Sequence, residues 1–139
     1  MVMAKKMVLV VDDEEISLEM IASVLEADGY AVFKASDSKT AIEIIEKHKR
    51  TLNVILMDLV MPKFDGFITM ETIKSQKLTR LIPIMAITAS TDKESVLKAM
   101  NSGADDYLTK PFEPTDLLNR VRALCKISDF VKRWRAYAR

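Results

Sequence analysis

Two apolar stretches of this chain end in carboxylates, the side chains with the clearest capacity for chemistry. Residues 54–57 are apolar and precede Asp58, and residues 8–11 are apolar and precede Asp12 and Asp13. Unbroken apolar runs are typical of parallel strands that helices cover on both faces. Sites in open parallel sheets lie beyond the carboxyl ends of the strands, so the three carboxylates should converge. A bound divalent cation would relieve the repulsion between them.

Two further strand ends would add a hydroxyl and an ammonium group. The apolar run at 84–87 ends in Thr88, and a short predicted strand at 106–109 is followed by Lys110. Carboxylate oxygens are ligands that Mg²⁺ prefers, and one carboxylate could act as a nucleophile. A lysine and a metal ion neutralise charge on a transferred phosphoryl group. The five residues therefore predict a phosphoryl-transfer site.

The rest of the sequence predicts five strands alternating with five helices. Gly29 and Gly103 should end the first and fourth helices, and Asp92 and the cluster 36–38 offer helix N-caps. The third helix should run to about Ser75. The alternation predicts an α/β fold with right-handed crossovers, a doubly wound parallel sheet of order 2-1-3-4-5 and helices on both faces, which is flavodoxin-like.

Length and composition favour one domain. The chain has 139 residues, of which 49% are hydrophobic, enough for one core and too few for two ordinary domains. The net charge of +1 gives no general attraction to nucleic acid or membranes, and no apolar run is long enough to span a bilayer. The single cysteine, Cys125, suits a reducing compartment, so we predict a cytoplasmic protein.

Four segments resemble those of bacterial two-component response-regulator receiver domains, including the chemotaxis regulators. The segments are VLVVDDEE, VILMDLVMPKFDGF, PIMAITAS and GADDYLTKPF, at the family's spacing from residue 6 to about 127. The resemblance implies that Asp58 accepts a phosphoryl group from a sensor histidine kinase or a phosphotransfer protein. It also implies Mg²⁺ as cofactor, bound by Asp13, Asp58 and the backbone carbonyl of Val60, with Asp12 acting mainly through water.

The same resemblance gives roles to residues on the last two predicted strands. Lys110 would pair with the phosphoryl oxygens, and its peptide bond to Pro111 would be cis. Thr88 would hydrogen-bond the phosphoryl group, and Tyr107 would rotate from an exposed to a buried position. These changes would switch the surface formed by the fourth helix, fifth strand and fifth helix. The only catalysis implied is the domain's own phosphorylation and dephosphorylation.

Other functions remain open on the residues alone. A haloacid-dehalogenase-type phosphatase also uses a strand-end Asp and Mg²⁺, but it needs a second Asp two residues later, where this chain has Val60. A receiver that serves only as a scaffold usually lacks an acidic residue or the lysine, and none is missing here. Each strand-end residue also has an ordinary explanation, such as turn formation by an Asp, but five together would be a rare coincidence.

The helical pattern continues past residue 127, the expected end of such a domain. The apolar residues recur at spacings of three and four: Val121, Leu124, Ile127, Val131, Trp134 and Ala138, with Phe130 and Tyr137 beside them. Residues 126–139 hold five basic side chains and one acidic. We divide the chain into a receiver domain, 1–127, and a helical extension or basic tail, 128–139. The tail either frays or packs on a second copy of this chain or an output domain; no nucleic-acid partner is predicted.

Overall fold

The computed structural model describes residues 5–61, 64–89 and 92–137. Within these residues, five parallel strands form one sheet and a two-stranded antiparallel hairpin follows the third of them. The sheet strands are β1 (Met7–Val11), β2 (Ala31–Ala35), β3 (Val54–Asp58), β6 (Ile84–Thr88) and β7 (Asp106–Thr109), and the hairpin strands are β4 (Val60–Met61) and β5 (Phe64–Asp65). The helices are α1 (Glu15–Ala27), α2 (Ser38–His48), α3 (Gly66–Ser75), α4 (Lys93–Asn101) and α5 (Pro114–Tyr137).

The sheet has the order β2-β1-β3-β6-β7, which is 2-1-3-4-5 when only the sheet strands are counted. All neighbouring strands are parallel, with Val8 opposite Val54 between β1 and β3 and Ile55 opposite Ile84 between β3 and β6. Every residue of β3 and β6 is buried, because helices cover both faces of these central strands. The predicted fold class and strand order are confirmed.

Alternate side chains of the strands point into two apolar layers. One layer joins the sheet to α2, α3 and α4 and contains Ile45, Met70 and Ala99. The other joins the sheet to α1 and α5 and contains Ile21 and Val121. Because both layers rest on the same sheet, they fix the carboxyl ends of all five strands relative to one another.

The predicted helix ends are found in the structure. Asp37 caps α2 by accepting a hydrogen bond from the backbone N–H of Thr40 at 2.7 Å, and Asp92 caps α4 by accepting one from that of Ser95 at 2.8 Å. Gly29 and Gly103 follow α1 and α4 with φ of 95° and 116°, a backbone region in which glycine is favoured. The cis peptide bond between Lys110 and Pro111 is also present.

Helix α5 continues past residue 127 to Tyr137, as predicted, but its apolar residues do not form one stripe. Val121 and Leu124 are buried, whereas Ile127 is exposed and Ser128 takes the next buried position. The spacing of three and four residues therefore predicts the helix correctly but does not show which of its apolar residues are buried. Ala138 lies outside the described residues. No helix in the described part of the chain combines the length and apolar character needed to cross a bilayer.

Candidate functional site

Three acidic side chains gather at the carboxyl ends of β1 and β3. Asp12 follows β1 directly and is 1% exposed, and Asp58 is the last residue of β3 and is 6% exposed. One carboxylate oxygen from each of Asp12, Asp58 and Glu14 lies within 4.8 Å of the others. Glu14 was not among the predicted residues. Asp13 was among the predicted residues, but it lies outside this group and, together with Lys34, lines a neighbouring surface depression.

Lys110 lies between the two buried carboxylates. Its Nζ donates to Oδ2 of Asp12 at 2.9 Å and to Oδ2 of Asp58 at 3.1 Å. A single ammonium group therefore faces two carboxylates, with Glu14 as a third acid nearby. The cluster has a net negative charge, and a cation bound to its oxygens would lower the remaining repulsion.

Both Asp12 and Lys110 are held in their charged forms. Burial alone would raise the pKa of Asp12, but hydrogen bonds from Ser17 and the backbone N–H of Glu14, together with Lys110, outweigh it and lower that pKa. Burial alone would lower the pKa of Lys110, but its contacts with Asp12 and Asp58 outweigh burial and raise it. The ion pair between Asp12 and Lys110 therefore persists through the neutral pH range.

The donor atoms suit a hard divalent cation. Carboxylate oxygens are the ligands of Mg²⁺ and Ca²⁺ in proteins, whereas zinc and copper sites are dominated by imidazole and thiolate groups. The group formed by Asp12, Glu14 and Asp58 contains only carboxylates. It therefore qualifies as a candidate metal site for a cation of that class.

Gly66 gives the site a close backbone contact. The hairpin of β4 and β5 follows Asp58, with Val60 opposite Asp65, and returns the chain to Gly66 at the start of α3. A Cβ atom at Gly66 would lie 2.7 Å from the carbonyl oxygen of Asp58 and 3.0 Å from Cα of Leu59. Real Cβ atoms essentially never approach that closely, so the packing of α3 beside the acidic residue requires glycine.

Thr88 and Tyr107 lie on the neighbouring strands β6 and β7. Thr88 is buried at the end of β6 opposite Thr109, and its carbonyl accepts from the backbone N–H of Lys110 at 2.8 Å. Tyr107 is half-buried against the layer of α2, α3 and α4, and burial followed by the charge of Asp92 raises its pKa. The backbone therefore connects Lys110 directly to Thr88.

Helix α4 is the helix packed least deeply near these strands. Of its nine residues, only Ala99 is buried, and Leu97 and Met100 are 51% and 44% exposed. Lys98 places its ammonium 4.2 Å from the ring centre of Phe67 on α3. Few buried apolar contacts hold α4, so its position costs less to change than those of the other helices.

Comparisons with known proteins agree with this geometry. Residues 8–122 match the family model of the response regulator receiver domain. The chain is 38% identical over 124 residues to the alkaline phosphatase synthesis transcriptional regulatory protein PhoP of Bacillus subtilis, covering 89% of this chain and 50% of that protein. It thus spans about half the length of the curated relatives that it matches first.

Solved structures give the same result. The chemotaxis response regulator CheY4 of Vibrio cholerae is similar with a TM-score of 0.80 and 30% identity, over 87% of this chain and 99% of that chain. The receiver domain of the Francisella response regulator 1452 is similar with a TM-score of 0.80 and 32% identity, over 88% and 98% of the two chains.

Proposed function

We propose, because this chain belongs to the response regulator receiver domain family, that Asp58 accepts a phosphoryl group from a sensor histidine kinase or a phosphotransfer protein. One observation carries the proposal: the Lys110 ammonium joins Asp58 to Asp12 at the carboxyl ends of β3 and β1. A strand-end carboxylate beside a lysine and further acids is the set that phosphoryl transfer needs. The protein would act as a signalling module whose only catalysis is on itself.

The proposed reaction is a displacement at phosphorus. A carboxylate oxygen of Asp58 forms a bond to phosphorus, the bond from phosphorus to the donor's imidazole nitrogen breaks, and an acyl phosphate results. Lys110 already donates to Asp58 at 3.1 Å, so its ammonium is placed to stabilise negative charge on the incoming phosphoryl oxygens. Dephosphorylation would transfer the group from Asp58 to water.

Mg²⁺ is the proposed cofactor, and the carboxylate donor set supports it. We propose Asp12, Asp13, Asp58 and the backbone carbonyl of Val60 as its ligands, and we add Glu14 as a candidate. When bound, the ion would supply positive charge that offsets the charge of the phosphoryl group.

Thr88 and Tyr107 are proposed to transmit the change. A phosphoryl group adds a charge of roughly −1.5 to −2 and three acceptor oxygens, so the Thr88 hydroxyl gains a new acceptor in the modified state only. Tyr107 lies on the next strand, beside the weakly packed α4. The surface of α4, β7 and α5 would then change its shape and its partners.

The extension of α5 is the proposed contact for a further partner. Phe130, Trp134 and Tyr137 are 64%, 61% and 92% exposed, and with Arg133 they line an open apolar depression on one side of the helix. Large exposed apolar groups so close together are typical of interaction sites. A second copy of this chain or an output domain is the proposed occupant of this surface.

The cytoplasm is the proposed location of the protein, because a reducing compartment suits the free thiol of Cys125.

Beryllium fluoride with Mg²⁺, which imitates an acyl phosphate, tests the function. We expect it to change the amide spectrum of the wild type and to leave Asp58→Asn unchanged. Asp28→Asn is the matched control, because it makes the same chemical change at an exposed residue paired with Arg122 and should respond as the wild type does. An Asp58→Asn variant that responds fully would refute the assignment.

A further inference from the structure

A cleft lined by basic side chains lies at the opposite end of the sheet from Asp58. Its volume is about 330 Å³, and it opens between the end of α2, the loop after α3 and the extension of α5. The lining residues are Lys49, Arg50, Leu78, Lys132, Arg135 and Ala136. A smaller neighbouring cavity of about 20 Å³ shares its four basic residues and reaches Leu52 and Ile82, which precede β3 and β6. The cleft is therefore at the edge where the strands begin, separate from the acidic cluster.

Three of the four cations in this cleft have no carboxylate partner among the described residues. Lys49 pairs with Glu46 at 3.1 Å. Lys132 donates to the backbone carbonyl of Thr51 at 2.9 Å, and burial lowers its pKa although the charge of Asp129, which pairs with Lys6, opposes that shift. Within the described ranges, Arg50 and Arg135 form no ion pair. Such a group of cations favours a bound anion, because the anion removes their mutual repulsion.

One wall of the cleft is fixed by hydrogen bonds. Lys74 donates from Nζ to the carbonyl oxygens of Arg80 at 3.1 Å and Ile82 at 2.9 Å. The buried hydroxyl of Thr79 donates to the carbonyl of Ile73 at 2.6 Å. These bonds hold the loop after α3 in place without any ligand. Because this wall is already ordered, a ligand would bind without the loss of conformational entropy that ordering a flexible loop requires. In this respect the cleft differs from a flexible basic surface that is simply exposed to solvent.

We propose that this cleft binds a small molecule that carries a diphosphate group, of the nucleoside diphosphate class. Arginine guanidinium groups match phosphate oxygens in paired hydrogen bonds, and Arg50 and Arg135 are the two arginines available. The exposed side chain of Leu78, on the wall beside them, gives an apolar surface for the rest of the ligand. The volume falls in the usual range for small-molecule sites, roughly 300–1,000 Å³.

The site depends on the length of α5. Lys132, Arg135 and Ala136 all lie beyond residue 127 and form the wall opposite α2. Lys6 also pairs with Asp129 at 2.6 Å, so this part of the helix is anchored to the body of the domain. The basic residues on this side of the extension would therefore bind the phosphate groups, whereas the other side of the helix carries Phe130 and Trp134.

The test is a titration of the full chain in Mg²⁺-free buffer, followed by amide NMR shifts, with pyrophosphate, a nucleoside diphosphate and inorganic phosphate as separate probes. We expect saturable shifts at residues 49–52, 78–82 and 128–136, weakened by added salt. Arg135→Gln and Arg50→Gln should each weaken diphosphate binding roughly tenfold. Arg133→Gln is the matched control, because it removes the same charge on the apolar side of α5 and should leave affinity unchanged.

The probes distinguish the possible sources of the phosphate groups. Tighter binding of the nucleoside diphosphate than of pyrophosphate would support a ligand whose organic part contacts Leu78. Equal affinities would overturn the assignment to the nucleoside diphosphate class, since the cleft would then recognise the diphosphate alone. The proposal is overturned if neither diphosphate saturates, or if Arg133→Gln weakens binding as much as Arg135→Gln. It is also overturned if an oligoglutamate peptide binds while both diphosphates do not, since the cleft would then accept an acidic protein segment.

Discussion

Replacing Lys110 with methionine tests the charge balance of the acidic cluster. The substitution keeps a long apolar stem and removes the ammonium that donates to Asp12 at 2.9 Å and to Asp58 at 3.1 Å. Two carboxylates, 1% and 7% exposed in their side chains, would lose their shared cation. We expect a clear loss in the free energy of unfolding when no divalent cation is present.

The size of this loss follows from burial. Removing one partner of a buried ion pair costs about 3–5 kcal/mol, because the other charge stays buried without compensation. The Lys110 side chain is itself 19% exposed, so water can reach the gap and the lower end of that range applies. We therefore expect a loss of about 3 kcal/mol in urea unfolding with a chelator present.

Divalent metal should restore much of that loss. A ligand present at about 100 times its dissociation constant stabilises the folded state by about 2.7 kcal/mol. Under the proposed function, Mg²⁺ supplies charge where the ammonium is missing, and it should bind more tightly to the Lys110→Met variant than to the wild type. Isothermal titration of both proteins with Mg²⁺ measures this difference directly.

The pH dependence of the loss has a defined sign. Asp12 has a lowered pKa, so its contribution is present above its ordinary value of 3.8 and disappears as pH falls through the folded value. Lys110 has a raised pKa, so its contribution is present below its ordinary value of 10.5 and disappears only as pH rises through the folded value. The difference between wild type and variant should therefore be present through neutral pH, shrink toward acid pH as the unpaired carboxylates of the variant take up protons, and shrink again above pH 10.5 as Lys110 of the wild type loses its proton.

Lys34→Met is the control for this experiment. Lys34 pairs with Glu19 at the same 2.9 Å, but the two side chains are 38% and 56% exposed. Solvent screening makes such a pair weak, so its loss should have little effect. If Lys110→Met destabilised the chain no more than Lys34→Met does, the buried ion pairs would not be a source of stability and the reasoning would fail.

Four further outcomes are expected. Thr88→Ala should still respond to beryllium fluoride at the site but lose the spectral shift on α4 and β7; a full distal shift would mean that another residue senses the phosphoryl group. Gly66→Ala should cost about 1–3 kcal/mol by overpacking and weaken the beryllium fluoride response, and unchanged stability in urea would contradict the close backbone contact. Cys125 is buried, and burial raises its thiol pKa, so a thiol reagent should modify it far more slowly in the native chain than in urea. The double variant Phe130→Ser, Trp134→Ser should keep the stability of the fold and abolish self-association in sedimentation, while a wild type that is monomeric with and without beryllium fluoride would exclude the homodimer.

The sequence was sufficient for the residues that sit directly at strand ends. Apolar runs set the strands, and parallel strands place their carboxyl ends at one edge, so Asp12, Asp58, Thr88 and Lys110 could be assigned to one region. The positions of side chains in the loops that follow the strands could not be predicted from the sequence. Whether Asp13 or Glu14 points toward Asp58 depends on the backbone conformation of the turn after β1. In a turn, side-chain directions do not follow the regular repeat of a strand or helix, so the sequence pattern does not predict them.

The faces of α5 show a different limit. A helix turns about 100° per residue, so each three-residue step falls about 60° short of a full turn. The steps from Val121 to Leu124 and on to Ile127 therefore carry the pattern around the helix, from the buried side to the exposed side. Spacing of three and four predicted the helix correctly, and only the positions of the neighbouring elements show which side is covered.

Lys110 contacts both Asp58 and Thr88, so a phosphoryl group on Asp58 could change the structure of a distant surface through this lysine. Lys110 contacts Asp58 through its ammonium and Thr88 through its backbone N–H, at 3.1 and 2.8 Å. Any phosphoryl group on Asp58 must therefore share Lys110 with Asp12, which holds the same ammonium at 2.9 Å. A shift of Lys110 toward the new oxygens would act on β6 and β7 together, and α4, with only Ala99 buried, is the neighbouring helix that offers least resistance to movement.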